Sequence, residues 1–157
     1  GEHCHVAPSS VHGYVIGEHG DSEVCAFSAT HIAGMSMEEI CHNCQHGCMS
    51  ECQADLTHSV RTAAYQIIEG KGATYYAVAL AVRRIADAIL RNEGIVLSVS
   101  SLLDGQYGFS DVYVSLPCVL DARGVSKVLT PALAPEEMEG LTHSVTVLKE
   151  AIASVKW

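Results

Sequence analysis

Long apolar runs are missing from this chain. No hydrophobic stretch in its 157 residues approaches the ~20 needed for a membrane-crossing helix, and no leader-like pattern opens it, so no membrane partner is expected. Basic charge is scarce. Nine Lys and Arg stand against 18 Asp and Glu, a formal charge of -9, which argues against the basic face that nucleic acid requires. Repeats, linkers and low-complexity tracts are absent too, so the chain reads as one domain, residues 1–157. A dinucleotide fingerprint is also lacking. GKGATY at 70–75 has Tyr75 in its sixth position and no parallel βαβ unit around it. The chain opens on Gly1, not Met, and is read as a processed or incomplete sequence.

Apolar residues are plentiful at 48%, enough for a core. Seven cysteines make an odd count. Without a secretory context they predict free thiols in a reducing cytoplasm, not a disulfide framework.

The stretch that organises the rest is VHGYVIGEHGDS, residues 11–22. Residues 11–17 have strand character and run into a loop of small and polar groups. His19 sits at the strand mouth between Glu18, Gly20 and Asp21. An imidazole there can donate or accept a proton near neutral pH. A solvated loop histidine is the plain alternative. His12, seven residues earlier, reads from the residues alone as a half-exposed strand position. Residues 1–10 read as a helix end stopped by Pro8, Ser9 and Ser10, and residues 23–35 as a short helical turn and a short strand.

Ser36, with Glu38 and Glu39 behind it, predicts a helix start. Cys41, Cys44, Cys48 and Cys52 follow, with His42 and His46 among them. Gaps of three and four put the cysteines on one helical face, where the first and last lie about 16 Å apart on a straight helix. One ion with Zn–S bonds of about 2.3 Å cannot reach them all. Buried thiols on an apolar face are the expected outcome and no metal is assigned. A helix break at Gly47 would restore the metal alternative.

Residues 54–69 predict an amphipathic helix through Leu56, Val60, Ala63, Ala64, Ile67 and Ile68. Gly70 and Gly72 interrupt it. A second helix, 74–91, carries Val78, Ala81, Val82, Ile85, Ala88 and Ile89 on its apolar face. The Thr74 hydroxyl can cap its start, and Arg83, Arg84 and Arg91 read as a solvated face. Strands at 95–104, 111–120 and 125–129, joined by turns at 104–108 and 121–124, predict an antiparallel meander. Pro135 opens a last helix, 135–155, with a core stripe of Met138, Leu141, Val145, Leu148, Ile152 and Val155. The fold class is α+β: a twisted antiparallel sheet covered by long helices.

GEHGDS at 17–22, EGKGATYYAVALAVRRI at 69–85 and VLSVSSLLDGQYGFSDVYVSLPCVL at 96–120 carry a resemblance. In this order they resemble the C-terminal, substrate-binding half of the L-lactate dehydrogenases, within the lactate/malate dehydrogenase family. The resemblance covers nearly the whole chain. It implies that His19 exchanges a proton with the substrate oxygen while NADH delivers a hydride. It further implies that Thr74 lines the substrate pocket and that Val78 lies beside the nicotinamide. His12 would help bind fructose 1,6-bisphosphate at a subunit interface, as in the activated bacterial members, though the family's partner arginine lies upstream of Gly1. Malate dehydrogenases tend to have Gly where Glu18 stands, which tilts the reading toward pyruvate and lactate. Family members pair into dimers or tetramers, so a homo-oligomer is implied.

The family's aspartate behind the histidine, its carboxylate-gripping arginine, its mobile loop and its NAD-binding Rossmann domain all belong to a segment upstream of Gly1. None of the five arginines here matches them, and Asp21 is too close along the chain to replace the aspartate. The chain alone is therefore expected to be inactive. The family's usual Pro and Trp near Cys25 and Phe27, and its Asn near His31, are also not found. The alternatives are an assembly module without catalysis and a related malate-type 2-hydroxyacid dehydrogenase domain.

Overall fold

A computed structural model describes residue 1, residues 4–43 and residues 49–155. His3, Cys44, His46, Gly47, Cys48 and Trp157 lie outside the described residues. Two-residue strands β1 (Val11–His12), β2 (Val15–Ile16), β3 (Val24–Cys25), β4 (His31–Ile32) and β5 (Met35–Ser36) come first. Helices α1 (Met37–Asn43), α2 (Met49–Lys71) and α3 (Tyr76–Leu90) follow. Then come β6 (Ile95–Asp104), β7 (Ser110–Asp121), β8 (Gly124–Val128) and α4 (Pro135–Ser154).

Every strand pairing among the described residues is antiparallel, as the meander predicts. The sheet is nonetheless divided into three: β1-β4-β5, β2-β3 and β6-β7-β8. The expected strand 11–17 breaks at Gly13 and Tyr14, and its two pieces join different sheets. β1 pairs with β4 and β2 with β3. The long hairpin runs from Ile95↔Leu120 to Asp104↔Ser110, with a bulge between Leu102 and Asp104. Gly105 (φ 94°) and Gly108 (φ 80°) make the turn, in backbone that glycine adopts without strain.

The core follows from the two-residue period of β7. Val112, Val114, Leu116, Cys118 and Leu120 point inward and are buried, and Tyr113 between them is exposed. Leu141 and Val145 of α4 close over this face with Ile16, Val24, Ala26 and Leu103. Glu137, a buried acid in the first turn of α4, is fully engaged. Its carboxylate accepts from the Ser28 N–H (2.9 Å), the Ser28 hydroxyl and the Ala134 N–H (3.0 Å). The Ser36 start of α1 is a reciprocal cap. The Ser36 N–H donates to Glu39 (2.7 Å) and the Ser36 hydroxyl accepts the Glu39 N–H (3.4 Å).

Several expected core faces are uncovered. Val78, Val82, Ile67, Ile68 and Ile152 are exposed, because no described element packs over the end of α2, the start of α3 or the last turn of α4. Gly72 (φ 77°) closes α2, its N–H donating to the Ile68 carbonyl at 2.7 Å. Tyr75, not Thr74, is the cap residue of α3, and no side chain caps it. Of the arginines expected as a solvated face, Arg83 and Arg91 are exposed and Arg84 half-exposed, and all three are paired. Arg84 meets Glu93 at 2.6 Å, and Arg83 and Arg91 share Asp87 at 3.6 Å.

Cys41 and Cys52 do not share one straight helix; they lie on two, α1 and α2. Cys41 on α1 and Cys52 on α2 are both buried, in one cluster with Ile32, Met37 and Ile40, and their thiols are hydrogen-bond neighbours. Burial, with the Cys41 thiol beside it, pushes Cys52 up to about 11. As pH rises, the unfolded chain therefore releases this proton first. The stability tied to neutral Cys52 is whole below about pH 8.5 and drains away as pH climbs toward the folded value. A urea midpoint followed from pH 8 upward should fall steadily, and should fall less steeply in Cys52→Ala. Equal slopes would refute this assignment.

Candidate functional site

The loop after β2 is held from three sides. Gly17 exchanges both backbone hydrogen bonds with Ser115 of β7, at 2.9 and 3.0 Å. From α4, the Ser144 hydroxyl accepts the Glu18 N–H (2.6 Å) and donates to the Ser22 carbonyl (3.0 Å). From α2, the Arg61 guanidinium donates to the Glu23 carbonyl (2.8 Å) and the Tyr65 hydroxyl to the Asp21 carboxylate (2.7 Å). Accepting that bond, the Asp21 carboxylate pushes the Tyr65 phenol up. The Ser22 hydroxyl donates to the Glu18 carboxylate and lies 3.0 Å from the Ser144 hydroxyl.

His19, at the centre of this tethered loop, is exposed, and no described residue hydrogen-bonds its imidazole. The Glu18 carboxylate is taken by the Ser22 hydroxyl and that of Asp21 by Tyr65, so neither acid beside His19 in sequence orients the imidazole. His19 opens instead onto a cavity of about 610 Å³ between the loop, α3 and the middle of the meander. Glu18, Ser100 and Ser115 give it polar edges. Val78, Val82 and Ile85 of α3 give it an apolar wall. Such a chamber can hold a small polar molecule against a flat apolar face, with one proton-exchanging group at its rim.

His19 and Val78, far apart in sequence, thus line one cavity. Thr74 does not line it; it lies exposed ahead of α3. His12 is elsewhere, in β1, directly opposite His31 of β4. A second cavity, about 520 Å³, opens between α2 and α4 beside Cys25. Its buried acid, Glu137, is consumed by Ser28 and Ala134, and burial pushes the Cys25 thiol up, away from thiolate chemistry; Glu136 and His58 also line it and are exposed. The apolar helix wall facing a histidine singles out the His19 cavity. Among the described residues, no three His, Cys, Asp or Glu side chains converge as a metal site, and no helix is long and apolar enough to cross a membrane.

Residues 1–156 match the family model described as lactate/malate dehydrogenase, alpha/beta C-terminal domain. The chain belongs to the lactate/malate dehydrogenase family. An L-lactate dehydrogenase of Acetivibrio thermocellus is 49% identical over 155 residues, covering 98% of this chain and 49% of that protein. One from Thermoanaerobacterium saccharolyticum is 48% identical over 151 residues, covering 96% and 49%. The ligand-bound minor L-lactate dehydrogenase of Enterococcus mundtii superposes with a TM-score of 0.90 at 40% identity, covering 96% of this chain and 48% of that one. A lactate dehydrogenase from a Medee basin deep-sea metagenome gives 0.92 at 32% identity, covering 97% and 48%. The chain spans about half the length of the curated relatives it matches. Within this lactate/malate dehydrogenase domain, the loop anchors Ser115, Ser144, Arg61 and Tyr65 were not singled out by sequence. Only Ser144 left a trace there: it is a polar residue in phase with the core stripe Leu141, Val145 and Leu148.

Proposed function

We propose that this chain is the substrate-side half of an NAD-dependent L-lactate dehydrogenase, with His19 exchanging a proton with the C2 oxygen of pyruvate or lactate. The observation that carries this reading is one cavity shared by an uncommitted imidazole and an apolar helix wall. The Val78 and Val82 wall, 53% and 60% exposed, fits the flat nicotinamide end of a dinucleotide. The phosphate-binding part would come from elsewhere. When bound, NADH supplies the hydride. His19 supplies the proton in reduction and takes it back in oxidation. Val78 excludes water from one side, and the tethered loop keeps the imidazole at the rim. Thr74, one turn before Val78, joins the pocket as a substrate contact once α3 is covered. His12 contributes to a fructose 1,6-bisphosphate site, and the working form is a cytoplasmic homo-oligomer.

The test is NADH oxidation with pyruvate. The 157-residue chain alone should give no turnover above its His19→Ala variant. The same chain joined behind the N-terminal half of the Acetivibrio thermocellus relative should give His19-dependent turnover. Failure of the joined protein would sink the reading, and activity of the chain alone would refute the division of the site.

One observation favours a second reading, assembly without catalysis. Val78, Leu80, Val82 and Leu90, at 53%, 65%, 60% and 84% exposed, leave α3 an uncovered apolar helix. Light scattering separates the two: a joined protein without turnover, together with a concentration-dependent mass for the chain alone, would favour the assembly module.

A further inference from the structure

We propose that Ser144 is a positioning residue for His19, acting from α4 through the backbone of the His19 loop. This inference rests on the reading of His19 as the proton-exchanging group.

Ser144 is fully buried, on the face of α4 that packs on the core beside Leu141 and Val145. Its hydroxyl has one proton and two lone pairs. It accepts the Glu18 N–H at 2.6 Å, and the Ser22 carbonyl and the Ser22 hydroxyl both lie 3.0 Å away. The Ser22 proton is committed to the Glu18 carboxylate. The Ser144 proton therefore goes to Ser22, shared between its carbonyl and hydroxyl oxygens. One hydroxyl thus ties the residue before His19 to the residue three after it. It fixes the chord of the loop that carries the imidazole.

The ring has no tether of its own among the described residues, so its direction is inherited from that chord. A ring roughly 6 Å from its pivot moves about 1 Å when the loop rotates by about 10°, and a misplacement of that size costs on the order of 10²-fold in rate. Gly17 lets the serine approach. A Cβ at Gly17 would lie 2.5 Å from the Ser144 hydroxyl. Neither the loop motif nor the helix stripe shows this contact alone, because the partners are 126 residues apart.

Two readouts test it. On the 157-residue chain, the backbone amide of Glu18 should exchange with deuterium at least about tenfold faster in Ser144→Ala, with the amides of β7 unchanged. In the protein joined to the relative's N-terminal half, Ser144→Ala should lower kcat about tenfold or more and leave KM for pyruvate within about twofold. Ser144→Thr, which keeps the hydroxyl, should recover most of kcat. Thr142→Ala, which removes an exposed hydroxyl on the same helix, should change nothing. Ser144→Cys keeps the size of the side chain but makes a weak donor and acceptor of it, and keeps the proposal open to refutation if Ser144→Ala fails to fold. Unchanged Glu18 exchange, or an unchanged kcat, in Ser144→Ala or Ser144→Cys would overturn it. A joined protein without His19-dependent turnover would refute the function of His19, while the exchange rate would still decide whether Ser144 holds the loop.

Discussion

In a protein that joins this chain to a nucleotide-binding half, His19→Ala should lower kcat/KM for pyruvate reduction by about 10²–10⁴-fold, the span expected when a positioned acid is removed. Folding should be unaffected. His19 is exposed, bonds no described residue and lies outside both hydrophobic clusters. Urea midpoints of the two proteins should agree within about 0.5 kcal/mol of stability. Both directions should suffer, because the same imidazole donates the proton in pyruvate reduction and takes it back in lactate oxidation. A variant that keeps the parent's rate in either direction would assign the proton to another group. Glu18 and Glu23, which line the same cavity, would be the next candidates.

The loop of the candidate site was legible in sequence because it is contiguous. GEHGDS places the imidazole, its flanking glycine and its acidic neighbours within six residues. The meander was legible because β6 and β7 carry a two-residue period over ten and twelve residues, and short turns join β6, β7 and β8. The N-terminal strands were not. Val11–His12 and Val15–Ile16 are too short to show a period, and only their partners, 19–21 and 8–10 residues further along the chain, divide them between two sheets. The helical stripes were read correctly as apolar and wrongly as covered. A stripe reports that a face is apolar, not which element closes it; Val78 and Val82 are out of water only where another surface meets α3. The anchors of the His19 loop were hidden for a third reason. Ser115, Ser144, Arg61 and Tyr65 come from β7, α4 and α2, and no local spacing announces a bond to a residue 38 or more positions away.

Gly17→Ala should destabilise the chain by about 3 kcal/mol and disable the His19 loop, although it adds a single methyl group. Two costs combine. The first is conformational: Gly17 lies at φ 95°, where an L side chain crowds its own carbonyl at about 1–2 kcal/mol. The second is steric. The added Cβ would lie 2.5 Å from the Ser144 hydroxyl and 3.1 Å from its Cβ. Ser144 cannot rotate away without releasing Glu18 and Ser22, leaving the part-buried Glu18 N–H without its partner at about 1–2 kcal/mol. The backbone cannot yield either, because Gly17 is locked to Ser115 on both sides of the peptide. A double-mutant cycle separates the costs. Ser144→Gly removes the atom the new methyl meets. In that background, Gly17→Ala should cost only its conformational share, about half as much. A cost undiminished in the Ser144→Gly background would place the whole effect in the backbone of Gly17. A cost below about 0.5 kcal/mol in the parent would mean that the loop moves as a body, and that neither Ser144 nor Ser115 holds it.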